Sequence, residues 1–173
     1  MEDKYATITS LDMSGKNTSR YTISTGALVD FTGLTNLNLS GTGISELGGL
    51  VALTSLITLD ISGNQISDLG ALANLSNLST LNVSRTNIAD LNVLVKENSS
   101  TRFTNLVNLQ ATNISTLTSI AGLVHVSANA TQNSSVKWDF TGSKLTSPDA
   151  QNHIDQINAS KNDAVFIAPI PGA

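Results

Sequence analysis

The sequence contains no cysteine, which excludes disulfide bonds and thiolate metal sites as supports for the fold. Aromatic residues make up only 4% of the 173 residues, so the 40% that are hydrophobic must build a largely aliphatic core. The two histidines, His125 and His153, lie in different segments, which argues against a histidine metal site or a catalytic triad. We therefore expect no cofactor, no bound metal and no enzymatic activity.

Charge is also scarce, at 13% of residues with a net charge of −4, and the basic residues are scattered. Nucleic-acid binding needs clustered Lys and Arg to displace counterions from phosphates, so a nucleic-acid partner is not expected. No run approaches the ~18 apolar residues of a membrane span. The opening residues, MEDKYATITS, lack the apolar core of a secretory signal peptide. The sequence thus predicts neither membrane insertion nor a signal peptide in this chain.

What the sequence does contain is a repeat of 22 residues. Three tandem copies read LTNLNLSGTGISEL (34–47), LITLDISGNQISDL (56–69) and LSTLNVSRTNIADL (78–91). Weaker copies occupy 8–16, 106–117 and 138–145. A fixed period of this length is typical of a solenoid, in which each repeat contributes one coil.

One repeat shows how a coil would fold. The alternation Leu59-Asp60-Ile61 points two aliphatic side chains inward and one polar side chain outward, as in a half-buried strand. Leucine and isoleucine then recur at every third residue from Ile66, which fits a return path with 3₁₀ turns. A single coil cannot bury its own apolar side, so the coils are predicted to stack around one parallel sheet. Polar residues that follow the strands could bond to backbone groups at the bend: Thr42, Asn64, Thr86 and Asn113.

These repeats resemble the leucine-rich-repeat family, in particular its bacterial 22-residue class, as in the internalin proteins. The resemblance covers about residues 8–123. It implies an α/β-type repeat solenoid: a right-handed coil with one parallel sheet and a short 3₁₀ or irregular convex side. It also implies a non-enzymatic module for protein–protein or surface recognition. We assign residues 1–146 to the solenoid and 147–173 to a capping helix and strand of the same domain.

The C-terminal part suggests an alternative function. Ser147 and Pro148 suit the start of a helix over 147–160, and a strand is predicted at 164–168. A leucine-rich strand followed by such a helix and strand resembles some bacterial and phage structural proteins. The alternative is therefore a virion component, either a capsid-decoration or a tail protein, attached through its solenoid ends. Ten Asn-x-Ser/Thr sequons, several inside predicted strands, favour a bacterial or viral source, at a virion or cell exterior.

Two segments are irregular. The stretch 95–102 lengthens its coil by six residues and is predicted to be a surface loop, either a plain insertion or a contact element. Val126 lies 17 residues after Leu109 and 12 before Trp138, so residues 124–137 fit either an abbreviated coil or a loop.

Candidate partner-binding residues fall into three groups. The N-terminal coil has Tyr5 and Ile8 at an under-protected edge, which is either continued by further chain or docks on a partner or a second copy. The lengthened coil contributes Lys96, Glu97 and Arg102. The family resemblance implies binding on the outer face of the sheet, which offers Asn38, Asp60, Asn82, Arg85 and Gln110. The aspartates on that face are expected to be solvated. We expect a protein or particle surface as partner, a second copy of the chain included, docking mainly through the ends and the loop.

Overall fold

The computed structural model describes residues 5–16, 24–94, 105–120 and 137–145, together with Asn152 and Asp155. In these residues the chain forms one parallel sheet of six strands in sequence order. The strands are β1 Ser10–Asp12, β2 Asn36–Asn38, β3 Thr58–Asp60, β4 Thr80–Asn82, β5 Asn108–Gln110 and β6 Lys137–Asp139. The predicted parallel sheet and its order are confirmed.

The central residue of each strand points into the core. Pairing aligns these residues in one row: Leu11, Leu37, Leu59, Leu81, Leu109 and Trp138. Leu59 and Leu81 are 0% exposed, as predicted, because each is covered by the coils on both sides. Side chains two residues further on, such as Ile61 and Val83, are equally buried and form a second row of the core.

The four return paths between β1 and β5 each run through a short 3₁₀ helix. These helices are η1 Thr25–Leu28, η2 Gly48–Leu50, η3 Gly70–Asn74 and η4 Asn92–Leu94. A 3₁₀ helix has three residues per turn, so side chains at every third position share one face. Leu69, Leu72, Leu75 and Leu78 follow this spacing and all are buried. The predicted 3₁₀ return path is confirmed.

The bend after each strand has a constant geometry. The fourth residue after each central strand residue has a left-handed backbone, with φ between 55° and 73°. These six residues, which we call the turn column, are Gly15, Gly41, Gly63, Arg85, Asn113 and Gly142. Glycine suits this conformation because it has no Cβ. Asn113 thus belongs to the turn column, one position earlier in its coil than the polar residues Thr42, Asn64 and Thr86.

The polar residues that follow the turn column satisfy strand carbonyls. Thr42 and Thr86 donate from Oγ1 to the carbonyls of Leu39 and Val83, each at 2.7 Å. Asn64 lies 4% exposed and donates to the carbonyl of Ile61 at 2.9 Å, so this part of the prediction is confirmed. In the fifth coil the corresponding residue is Ile114, which cannot donate from its side chain.

The structure also bears on the irregular segment before β6. β5 pairs directly with β6, so no strand lies between them in the sheet, and Trp138 follows Leu109 by 29 residues in sequence. The prediction for 95–102 lies outside the described residues. So do most of 124–137 and nearly all of the predicted cap at 147–173, where Asn152 and Asp155 are helical.

Candidate functional site

The structure brings four of the sheet candidates together in one row. Asn38 pairs with Asp60, Asp60 with Asn82, and Asn82 with Gln110, so their side chains stand on adjacent strands. With Asp12 and Asp139 at its two ends, this row is the sheet-face column. The column runs along the outer face of the sheet, where the family resemblance implies recognition.

Most of the sheet-face column is occupied by internal hydrogen bonds. In five coils its side-chain oxygen accepts the backbone N–H of the residue two positions later, which makes an Asx turn. The five acceptors are Asp12, Asn38, Asp60, Asn82 and Asp139. The aspartates are therefore turn-forming residues rather than simply solvated ones. The sequence signal is the recurring Asx-x-Ser/Thr spacing, which also accounts for the sequons at Asn38 and Asn82.

Asp60 and Asn82 are further tied to each other. Asn82 donates from Nδ2 to Oδ2 of Asp60 at 3.0 Å, while Oδ1 of Asp60 accepts from the N–H of Ser62 at 2.8 Å. Both oxygens of Asp60 and both polar atoms of Asn82 thus have partners inside the chain. These bonds fix the two side chains in place, and each atom keeps one further donor or acceptor position.

Gln110 and Arg85 differ from the rest of the candidates. Gln110 is exposed and forms no Asx turn, and the N–H of Thr112 instead donates to Oγ of Ser84 at 3.1 Å. Arg85 is also exposed, with φ of 55° at a turn-column position where four other coils have glycine. Its backbone N–H donates to the carbonyl of Thr112 at 2.9 Å, which places it beside the coil of Gln110.

The N-terminal end of the solenoid is the least covered part of the described core. Leu11 and Met13 are only partly buried, whereas the central residues of the other strands are at most 2% exposed. Tyr5 and Ile8 are each 36% exposed. Tyr5 stacks on Phe31 with ring centroids 4.7 Å apart and planes at 18°. These five residues, which we call the N-terminal patch, give this end an apolar surface.

The outer edge of β1 also carries backbone hydrogen-bonding groups that do not pair with β2. The N–H groups of Met13 and Gly15 donate to the carbonyls of Asn38 and Ser40 in the second coil. In a strand, bonding groups alternate between the two sides, so those of Ser10 and Asp12 face away from β2. No described strand pairs with β1 on that side.

Titratable chemistry is sparse in the described part of the chain. There, no group of three or more His, Cys, Asp or Glu side chains could hold a metal ion. A groove of about 570 Å³ beside β3–β5 is lined by uncharged residues: Ser55, Ile57, Asn77, Ser79, Asn105 and Val107. The N–H of Ser14, hydrogen-bonded to the Asp12 carboxylate, lowers the pKa of that side chain. No described helix is long and apolar enough to cross a bilayer.

Comparison with known proteins agrees with a repeat solenoid. Residues 32–74 and 54–96 match the family model for leucine-rich repeats in two copies. Residues 32–96 therefore carry leucine-rich repeats, and the fold is a leucine-rich-repeat solenoid built around one parallel sheet.

Solved structures with a similar fold include internalins and another bacterial leucine-rich-repeat protein. An internalin (InlF) from Listeria monocytogenes superposes with a TM-score of 0.70 at 20% identity, over 94% of this chain and 44% of that one. Internalin C2 from the same species gives 0.62 at 26% identity, over 83% and 57%. A leucine-rich-repeat protein from Leptospira interrogans gives 0.70 at 17% identity, over 95% and 38%.

The chain spans less than two thirds of the length of each of these solved chains. None of the curated proteins matches its sequence significantly. Lys96, Glu97 and Arg102 lie outside the described residues.

Proposed function

We propose that the chain is a non-enzymatic protein-recognition module at a cell exterior, which docks through the N-terminal patch. The observation that carries this proposal is the partial exposure of Leu11 and Met13, whose counterparts in the other coils are buried. Apolar surface left in water is unfavourable, and its burial against another protein would be favourable.

The kind of contact follows from what this end presents. The outward backbone groups of β1 can pair with a further strand, and Tyr5 and Ile8 can pack beside it. An exposed strand edge invites uncontrolled pairing unless a cognate contact covers it. A fitting partner supplies a strand edge and apolar side chains, whether it is a further part of the same protein, a different protein or a second copy. No observation on the described residues favours a virion component.

Site-specific photo-crosslinking tests this proposal because it captures whichever protein lies against the labelled position. A benzophenone amino acid would replace Ile8 in one variant and Thr58, on the outer face of β3, in a matched control. Thr58 is preferred to Asn82 as a control site because the Asn82 side chain holds an Asx turn. Circular dichroism would first establish that both variants fold.

We expect adducts from position 8 and few from position 58 when the protein is irradiated in its native setting. Mass spectrometry would show whether the adduct contains a second copy or another protein. Adducts formed only from position 58 would contradict the proposal and support binding on the outer face of the sheet.

A further inference from the structure

Two neighbouring coils depart from the repeat at the same rim of the sheet. In the fourth coil Arg85 occupies a turn-column position that is glycine in four of the six coils. In the fifth coil Gln110 replaces the Asp or Asn that forms the Asx turn in the other five. An arginine is less favourable than glycine at positive φ, and Gln110 forgoes the Asx turn, so that the N–H of Thr112 donates to Oγ of Ser84 instead. Neither departure is explained by the stability of the fold.

The two side chains are also available for contact. Both are exposed, and no ion pair or side-chain hydrogen bond joins either to the rest of the described chain. By contrast, the neighbouring Asp60 and Asn82 are each held in place by two internal bonds. Among the described residues, the donors of Arg85 and the amide of Gln110 are not held by side-chain hydrogen bonds and can turn toward a ligand.

Their placement lets one ligand contact both. Asn82 pairs with Gln110 across β4 and β5, and Arg85 lies three residues after Asn82. The backbone N–H of Arg85 donates to the carbonyl of Thr112, two residues after Gln110, at 2.9 Å. Two residues of extended chain span about 7 Å, a separation that the long side chains of arginine and glutamine can bridge. Gly63, the turn-column residue of the third coil, has no side chain to obstruct the approach.

We propose that Arg85 and Gln110 form a recognition site for a carboxylate on a partner protein. The planar guanidinium can bind a carboxylate through two parallel N–H···O bonds, and the Gln110 amide can donate a third. A polyphosphate partner would require a basic cluster, whereas the nine basic residues of this chain are scattered and its net charge is −4. The site rests on the proposed role in protein recognition and adds a second surface, distinct from the N-terminal patch.

A direct test uses an acetylated and amidated peptide of six glutamates, titrated into the isotope-labelled protein at low salt. We expect saturable NMR shifts of the Arg85 Nε–H and of the Gln110 side-chain amide. Arg85→Gly should weaken the affinity at least tenfold, with a melting temperature no lower than that of the parent protein. Arg85→Lys should weaken it less, because it keeps the charge but loses the bidentate geometry.

The matched control is Lys144→Ala, which removes an exposed charge from the sixth coil and should change the affinity less than twofold. Equal losses in Arg85→Gly and Lys144→Ala would mean attraction by net charge alone and would overturn the proposal. Absence of saturable shifts at Arg85 and Gln110 would do the same. The proposal would also be overturned if inorganic phosphate bound to these groups more tightly than the glutamate peptide does. The titration does not depend on crosslinking at position 8. The carboxylate site and docking through the N-terminal patch can therefore be refuted independently of each other.

Discussion

Asn64 donates a hydrogen bond from Nδ2 to the carbonyl oxygen of Leu39, in the preceding coil, at 2.8 Å. The same amide nitrogen donates to the carbonyl of Ile61 at 2.9 Å, within its own coil. Its Oδ1 accepts from the N–H of Gly43 at 2.8 Å, again in the preceding coil. One buried side chain thus joins two bends of the solenoid, and no other residue at its position in the described coils makes as many bonds.

Replacing this residue should be costly. Asn64→Ala leaves buried N–H and C=O groups without partners, and we expect a loss of about 2–4 kcal/mol in the free energy of unfolding. Asn64→Thr should lose less stability than Asn64→Ala, because Thr42 and Thr86 show that Oγ1 can reach the carbonyl of the residue that follows the strand. Urea denaturation measures the free energy of unfolding of both Asn64 variants, and Asn87→Ala, at an exposed position, is the control. Equal stabilities of the Asn64→Ala and Asn87→Ala variants would refute the role given to Asn64.

The core should depend on individual leucines. Leu59→Ala and Leu81→Ala each remove a side chain that is 0% exposed, and each should cost ~2–5 kcal/mol through lost burial and a cavity. Thr58→Ala, on the outer face of β3, should cost much less. Chemical denaturation of the three variants checks this, and similar losses in all three would contradict the strand register.

Two adjacent glycines in η2 should respond very differently to substitution. A Cβ on Gly49 would overlap the carbonyl of Thr25 in the preceding coil, whereas a Cβ on Gly48 would meet nothing. Gly49→Ala must therefore push two coils apart, and we expect it to cost on the order of 3 kcal/mol. Gly48→Ala should leave the melting temperature nearly unchanged or raise it slightly. A well-folded Gly49→Ala variant of parental stability would show that the coils are spaced more widely.

The carboxyl group of Asp12 should titrate below the usual range of aspartate. The backbone N–H of Ser14 lowers its pKa, with smaller contributions from the Ser14 side chain and from Lys16. A pKa lowered in the folded state stabilises the fold above the unfolded value, and this contribution is lost as the pH falls. NMR titration of the carboxyl carbon checks the direction, with a blocked aspartate peptide as reference. A midpoint at or above that of the peptide would exclude the Asx turn in solution.

Gln110 shows what a repeat pattern can and cannot predict about a site. The spacing of the leucines places it correctly in the row that also holds Asn38, Asp60 and Asn82. The Asx-x-Ser/Thr spacing sets Gln110 apart from the other three, but it does not show what any of the side chains binds. The hydrogen bonds show this, since Asp60 and Asn82 are held internally while Gln110 is not. Arg85 stands out in the sequence by its charge, but its left-handed backbone is apparent only in the structure.

The sequence by itself determined the repeat, the single parallel sheet and the burial of residues such as Leu59. A solenoid coil contacts only its neighbours, so a local pattern repeated at a fixed period is sufficient to specify it. The tertiary structure decided which carbonyl each polar side chain binds, which coils approach too closely for a Cβ, and where the apolar core remains open. Those features depend on distances between coils 22 or more residues apart in sequence. They also depend on the end of the stack, where Leu11 lacks the second described neighbour that buries Leu37.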